Sequence, residues 1–476
     1  MVVIFLLLLL CLSGLSMAFS RSVNTHFDFR TQYAAGYMVR TGHARQLYDY
    51  DETRQTQNKL VSPSDKALPF IHLAYEALFY APFSLFTYET AYFLYFGVNV
   101  SFLAWAFFLL RPYLSGFAEI WRLLPSAIFV CFLPMTMTLL EGQNSILLLV
   151  LMIAVMVRLD RGEDLWAGLL LGLASVKFQY VVPIAVLFLI WRRWRFLVGF
   201  AVSSASVVVI SVWLTGVAGF LSYLHLLGSM SANFSSQNGM HLGIRPELMP
   251  NLRGLIYAIS GSSSLTISLV TLSLSAAVIL WTATRRPSFP LALLASLLVS
   301  YHETFTDASL LIVPIAVAVT AAVKTRCARS LYIVLVSAVI VVAPAVLLLA
   351  GVRFYLLAIP VLALVILWDN GIQFASLTAA GNRGDFAIIG NVGEGILPNG
   401  RNFEAVSDLS TGSVDCVRGK FQDAFRPQRN LGNAKRANVF FYVHNLFFLA
   451  QKNQIDREQH PDRMHATGRN DPQTSA

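Results

Sequence analysis

Long apolar segments alternate with short polar junctions along the first 368 of this chain's 476 residues. Hydrophobic residues make up 56% of the chain and charged residues only 13%, against roughly 25% charged residues in an average soluble domain. A water-soluble protein of this composition would lack the polar surface it needs, whereas a bilayer removes that need. The sequence therefore predicts an all-α polytopic membrane protein with about 10–12 transmembrane helices. The apolar segments are 2–20, 90–110, 123–140, 145–157, 165–176, 178–191, 196–220, 262–283, 289–301, 306–323, 331–351 and 354–368.

Basic residues cluster at every second junction between these segments. The positive-inside rule makes such junctions cytoplasmic, and it accounts for the net charge of +9 without a nucleic-acid partner. The alternate junctions, including 21–75, the region of Lys177, 221–261 and 302–305, are then predicted to face outside. The five clusters are Arg111/Arg122, Arg158/Arg161, Arg192/Arg193/Arg195, Arg285/Arg286 and Lys324/Arg326/Arg329.

The same pattern divides the chain into four regions. Residues 1–20 form a first transmembrane helix or signal anchor, and small residues near their end leave cleavage as a signal peptide open. Residues 21–75 form an outer catalytic loop and residues 76–368 a transmembrane core. Residues 369–476 contain no spanning run and are predicted to be a weakly ordered cytoplasmic tail.

Segments 145–157 and 165–176 are too short for full crossings, since thirteen residues span only about 20 Å of helix. Their predicted outer ends carry Gln143, Asn144 and Lys177. Polar groups at such depth are expensive unless they line a wet cavity. We therefore expect a cavity that opens to the outer leaflet, with Lys177 either snorkelling to the interface or binding an anion.

Asp28, between Phe27 and Phe29, is a candidate general base near the predicted outer surface. Partial desolvation would raise the pKa of its carboxyl group and suit it to accept a proton. A helix N-cap or an ion pair with Arg30 is the alternative role.

Three further basic side chains are candidates for binding phosphate. Arg245 and Arg253 lie in the predicted outer loop 221–261, and arginine forms paired hydrogen bonds with phosphate, although simple solvation is an alternative. His302 could bind phosphate or a sugar hydroxyl. Asp307, close by, is predicted to cap the next helix.

The sequence gives no sign of a metal or cofactor site. Asp49 and Asp51 form an Asp-x-Asp pattern, which in some soluble transferases holds a metal, but a solvated turn explains it better. No nucleotide-binding loop, hydrolase elbow or zinc spacing is visible. We therefore predict no metal and no cofactor.

Several short motifs occur in an order and spacing that resemble glycosyltransferase family 87 over roughly residues 24–320. One departure is Phe178, because the family usually has proline after the lysine. The motifs are Phe27-Asp28-Phe29, Tyr33-x-Ala35-Gly36, Tyr80-Ala81-Pro82-Phe83, Gly142-Gln143-Asn144, Lys177-Phe178-Gln179, Trp191-Arg192-Arg193-Trp194-Arg195 and His302 followed by Asp307.

The resemblance implies a GT-C-like helix bundle with an extracytoplasmic active-site cavity, in the plasma membrane of a bacterium. It implies transfer of a hexose, mannose in the characterised members, from a polyprenyl-phosphate sugar donor to a glycolipid or glycan acceptor. It also implies that Asp28 is the catalytic base. The expected substrate-binding residues are Lys177, His302, Gln143, Asn144, Arg245 and Arg253.

A single base without a nucleophilic carboxylate fits an inverting displacement. One alternative is a transporter or lipid flippase, which would place polar residues near the membrane midplane, whereas here they gather at the outer helix ends. A second alternative is a non-catalytic membrane partner that acts through the 369–476 tail.

Overall fold

The computed structural model describes residues 28–63, 67–231, 246–261, 264–325, 328–349 and 353–368. All regular secondary structure in these ranges is helical, which confirms the all-α fold class. The predicted first transmembrane helix at 1–20, Arg245 and the predicted tail at 369–476 lie outside the described residues.

Three short helices precede the bundle: α1 (Phe29–Arg40), α2 (Tyr50–Leu60) and α3 (Tyr75–Tyr80). Short 3₁₀ turns join several of the helices, and the two most relevant to the site are Ala174–Lys177 and Phe305–Leu311. The later helices are α4 (Tyr88–Leu110), α5 (Ser115–Ile120), α6 (Leu124–Cys131), α7 (Leu133–Glu141), α8 (Ser145–Asp160), α9 (Asp164–Leu173), α10 (Phe178–Ile190), α11 (Trp194–Ser231), α12 (Leu252–Ser260), α13 (Leu265–Ala283), α14 (Phe289–Val299), α15 (Ile312–Thr325), α16 (Ala328–Leu349) and α17 (Ala358–Leu367).

Six helical stretches of the described chain are long and apolar enough to cross a membrane, or seven if α6 and α7, bent by 45°, count as one span. This confirms a polytopic membrane protein, although the described residues contain fewer candidate spans than the 10–12 predicted, because several apolar segments form helices too short to cross. The remaining apolar helices of the bundle, such as α8 and α14, are shorter. The six stretches are Tyr88–Ile120, Asp164–Ile190, Trp194–Gly228, Leu265–Ala283, Phe305–Thr325 and Arg329–Leu348.

The stretch Asp164–Ile190 folds back on itself at Lys177. As one straight helix, its 27 residues would separate its two ends by about 40 Å. However, Arg193 Nη2, three residues beyond the stretch, donates to Asp164 Oδ1 at 2.9 Å. Helices α9 and α10 are therefore the arms of a hairpin, and its turn is the 3₁₀ segment Ala174–Lys177.

Glycines allow α9 and α11 to pack with their backbones in contact. A Cβ atom on Gly168 would lie 1.9 Å from the carbonyl oxygen of Phe196, and one on Gly172 would lie 2.5 Å from Cβ of Ser203. Because the contact partners advance together along both helices, α9 and α11 run in the same direction. Small residues give such close helix crossings in membrane proteins.

The basic junctions meet at one end of the bundle, which we name the Arg end. There, Tyr113 donates its hydroxyl hydrogen to Asp160, and Arg193 pairs with Asp164. Arg193 and Pro287 also line one cavity of about 200 Å³. The grouping agrees with the predicted alternation of basic junctions, whereas the side of the membrane on which this end lies stays a prediction.

The opposite end, marked by Lys177 and Gln143, is named the site end. Helices α1 to α3 cover it through an aromatic cluster in which the ring of Phe29 stacks on Tyr95 with centroids 4.9 Å apart. Helix α11 breaks at Gly216 (φ 73°, ψ 167°), a backbone conformation open essentially to glycine alone. Beyond the break, Tyr223 packs against Tyr48 with centroids 5.0 Å apart.

Candidate active site

Polar side chains from distant parts of the sequence converge at the site end. They come from the start of α1, from α3, from the turn between α7 and α8, from the hairpin turn at Lys177, and from the 3₁₀ segment Phe305–Leu311. Hydrogen bonds link these segments into two connected groups, one around Asp28 and Asp307 and one around Glu76.

Asp28 is held by an oriented amide group. It occupies the N-cap position of α1, but its side chain makes no capping hydrogen bond. Instead, Gln143 Nε2 donates to Asp28 Oδ2. Thr306 Oγ1 donates to Gln143 Oε1 at 2.5 Å, so the amide is fixed with its nitrogen towards the carboxylate. The arrangement presents Asp28 as a hydrogen-bond acceptor.

Burial raises the pKa of the Asp28 carboxyl group above its usual value. The hydrogen bond from Gln143 opposes this effect, as does the nearby ammonium group of Lys177. A carboxylate with a raised pKa is a better proton acceptor than an exposed aspartate. A raised pKa is one property of a general base, and the catalytic role of Asp28 stays a prediction.

A glycine turn brings Gln143 to Asp28. Gly142 ends α7 in the left-handed conformation (φ 65°), which favours glycine. A Cβ atom there would lie 2.7 Å from Cβ of Phe29, so only glycine lets this turn approach α1 so closely. Tyr92 and Tyr95 donate to the carbonyl oxygens of Leu140 at 2.7 Å and Gln143 at 3.3 Å. These bonds hold the turn in place.

Lys177 is buried, 5% exposed, and its ammonium group is held by protein oxygens. Its Nζ forms an ion pair with Asp307 Oδ1 and donates to Ser145 Oγ at 2.9 Å. Asp307 also accepts from Ser145 at 2.6 Å and from Tyr180 at 2.8 Å. The lysine therefore does not snorkel, and its charge is neutralised within the bundle by a carboxylate from a later helix.

Glu76, on α3, is a further buried carboxyl group of the site. Asn144 Nδ2 donates to Glu76 Oε1 at 2.6 Å, and His72 Nδ1 lies 3.2 Å from Glu76 Oε2. Burial raises the pKa of Glu76, while His72 and Asn144 act in the opposite direction. Asn144, predicted to bind substrate, is thus engaged with Glu76.

His302 and Arg253 lie at the rim of the site end. Burial lowers the pKa of His302 to about 4, so its imidazole is neutral at physiological pH. Arg253 Nη1 donates to the carbonyl oxygen of Tyr301 at 2.9 Å, and its guanidinium lies 4.0 Å from the centroid of that ring. The half-exposed Tyr301 (46%) and Arg253 together present an aromatic ring and a guanidinium group side by side.

The Asp-x-Asp pattern has a structural role. Asp49 caps α2 by accepting from the backbone N–H groups of Asp51 and Glu52, at 3.0 and 3.3 Å. Asp51 is exposed and pairs with Arg54 at 3.3 Å. The pattern is thus a capped helix start, in agreement with the solvated turn. Among the described residues, no three His, Cys, Asp or Glu side chains are grouped as metal ligands.

The structure adds residues that sequence reasoning missed: Glu76, His72, Ser145, Thr306 and Tyr180. Asp307 does cap its helix, because it completes a capping box with Thr304, but it also pairs with Lys177. A charge argument could have found that pair, since a lysine in an apolar stretch needs a carboxylate. Nothing local marks Thr306 or His72, which matter only through the fold.

Comparison with known families now decides the class of the protein. Residues 75–314 match the model of glycosyltransferase family 87, which is half of the chain. The chain belongs to glycosyltransferase family 87. The matched region contains Glu76, Gln143, Lys177 and His302 but begins after Asp28. This family 87 protein is therefore a glycosyltransferase. Searches of curated proteins and of solved structures returned no match.

Proposed function

We propose that this protein transfers a hexose, specifically mannose, from a polyprenyl-phosphate sugar to an acceptor hydroxyl on a glycolipid or glycan. Family membership supplies the reaction class. A polar site at one end of an apolar bundle suits a donor whose polyprenyl chain stays in the lipid. The observation that carries the proposal is the half-buried Asp28 carboxylate, oriented by Gln143 and Thr306.

In this proposal Asp28 removes the proton of the acceptor hydroxyl. The acceptor oxygen attacks the anomeric carbon from the face opposite the phosphate, the carbon–oxygen bond to the phosphate breaks, and the configuration inverts. Gln143 occupies Oδ2 of Asp28, which leaves Oδ1 to take the proton. A single positioned base contributes typically 10²–10⁴-fold to such a rate.

The rim residues are proposed to bind the substrates. Arg253 retains guanidinium N–H groups that can contact phosphate, and the neutral His302 can hydrogen-bond to sugar or phosphate. Arg245, Gln143, Asn144 and Lys177 stay predictions as substrate ligands. We further propose that the site end faces outside and that the protein resides in a bacterial plasma membrane.

The test compares Asp28→Asn with Asp51→Asn, a matched change at an exposed aspartate of the same region (73% side-chain exposure). The assay measures transfer of labelled mannose from polyprenyl-phosphate mannose by purified protein in lipid. Loss of at least 10²-fold in Asp28→Asn alone supports the base. Near-normal transfer by Asp28→Asn would remove Asp28 from the mechanism. Absence of transfer by the wild type across a panel of acceptors would reject the donor.

A further inference from the structure

The Nδ1 atom of the His72 imidazole faces oxygen atoms of the protein. It lies 3.2 Å from Glu76 Oε2 and 3.4 Å from the carbonyl oxygen of Val176. Both neighbours are acceptors, so Nδ1 carries a hydrogen. The second nitrogen, Nε2, is then the atom with which His72 meets anything that enters the site.

Glu76 can support a positive charge on this imidazole. The side chain of Glu76 is only 4% exposed and that of His72 is 18% exposed, so the carboxylate sits behind the ring, away from solvent. Oε2 of Glu76 is buried, and it faces the Nδ1 atom of His72 at 3.2 Å. A carboxylate behind a histidine stabilises the imidazolium that forms when the ring takes a second proton.

The other basic side chains of the site are less suited to receive a new negative charge. The charge of Lys177 is neutralised by Asp307, and its ammonium also donates to Ser145. His302 is neutral, because burial lowers its pKa to about 4. Arg253 lies at the rim, where it stacks on Tyr301.

His72 is close enough to the candidate base to act in the same reaction. Glu76, which His72 contacts, accepts a hydrogen bond from Asn144, and the adjacent Gln143 donates to Asp28. The imidazole is therefore joined to the candidate base through Glu76 and the neighbouring residues Asn144 and Gln143. A leaving group that departs from a sugar bound against Asp28 would come within its reach.

We propose that His72, supported by Glu76, is the catalytic group that contacts the leaving phosphate, an assignment that rests on the function proposed above. As the bond between the anomeric carbon and the phosphate oxygen breaks, its electron pair moves onto that oxygen. The phosphate changes from a singly charged diester to a doubly charged monoester. His72 Nε2–H donates to this oxygen and transfers its proton, which leaves a monoanion and a neutral imidazole. The Asp28 proton returns to water, and His72 is reprotonated from water.

The experiment uses full-length protein reconstituted in lipid, with His72→Gln, Glu76→Gln and the control His43→Gln. His43 is an exposed histidine of the same region, and its Nδ1 lies 3.0 Å from Oγ1 of Thr41. Two quantities are measured: kcat and KM for transfer from polyprenyl-phosphate mannose, and binding of polyprenyl phosphate alone by native mass spectrometry.

We expect His72→Gln to lower kcat roughly 100-fold, with a smaller change in donor KM, because the phosphate charge is largest after bond cleavage. Binding of the free polyprenyl phosphate, which carries that charge, should weaken at least 10-fold. Glu76→Gln should shift both quantities in the same direction by less, and His43→Gln should change neither.

Wild-type kcat and wild-type binding of polyprenyl phosphate in His72→Gln would overturn the assignment. Failure of the wild type to transfer mannose would count against the proposed donor instead, and the binding measurement would still decide whether His72 contacts phosphate. If His72→Gln does not fold, Glu76→Gln decides: unchanged phosphate binding and kcat in that variant would overturn the proposal.

Discussion

The buried pair between Lys177 and Asp307 allows a quantitative test of how the bundle holds its site. The side chains of the two residues are 6% and 1% exposed, and they join the hairpin turn to the start of the segment Phe305–Thr325. The perturbation is a double-mutant cycle of Lys177→Met, Asp307→Asn and the combination. The cycle isolates their coupling from the other effects of each change.

The expected loss of stability depends on which charged group each substitution leaves buried without its partner. Removal of one member of a buried ion pair costs about 3–5 kcal/mol, whereas replacement of both members is often nearly neutral. Lys177→Met leaves a carboxylate that still accepts from Ser145, Tyr180 and Thr304, so we expect a loss of about 3 kcal/mol. Asp307→Asn leaves a buried ammonium without its counter-charge, so we expect about 5 kcal/mol.

The double variant should lose less stability than either single variant. The coupling, which is the sum of the two single losses minus the loss in the double variant, should therefore exceed about 5 kcal/mol, or more than about 1,000-fold in the unfolding equilibrium. The assay is reversible unfolding in mixed micelles with increasing SDS, followed by tryptophan fluorescence. The exposed pair of Arg54 and Asp51 is the control and should show coupling of at most about 1 kcal/mol. Additive losses for Lys177 and Asp307 would refute the reasoning.

Three further outcomes are expected. In the folded protein His302 stays neutral down to about pH 4, whereas in the unfolded chain it takes up a proton below pH 6.5. The free energy of unfolding should therefore fall as the pH drops from 6.5 towards about 4. His302→Gln should flatten this part of a plot of Tm against pH. Gly168→Ala should lower stability by about 1–3 kcal/mol because its Cβ would meet a carbonyl oxygen of the facing helix at 1.9 Å, whereas Gly97→Ala, with open space around it, should not; thermal unfolding compares them. Thr306→Val frees the amide of Gln143 to rotate and should lower kcat roughly 10-fold with donor KM nearly unchanged.

Much of the bundle was predictable because a segment that lies in the bilayer must be apolar along its own length, whatever it packs against. The predicted segment 90–110 corresponds to α4 (Tyr88–Leu110), and 262–283 corresponds to α13 (Leu265–Ala283). The reversal at Lys177 was also predictable, since a charge in the middle of a long apolar stretch marks a turn between two short helices. What the pattern could not supply was the packing of α9 on α11, which depends on backbone contact at glycines.

The residues of the candidate site were easier to predict than the hydrogen bonds and ion pairs between them. Asp28 and Gln143 were both expected to act in the site, but their hydrogen bond joins residues 115 positions apart, and no local rule gives such a pairing. Lys177 was expected to meet water or a phosphate, yet it meets Asp307. Glu76 was missed because the contacts of its carboxyl group with Asn144 and His72 form only in the folded chain.

The hairpin at Lys177 has a consequence for biosynthesis. The ribosome makes Lys177 130 residues before Asp307, which at roughly 5–20 residues per second is on the order of 10 seconds earlier. Lys177 lies at the turn of the hairpin and is buried, and a buried lysine without a counter-charge is costly in a membrane protein. The nascent hairpin therefore needs a temporary partner for this ammonium group, such as water or a lipid phosphate. That partner is released when the segment Phe305–Thr325 inserts and delivers its carboxylate.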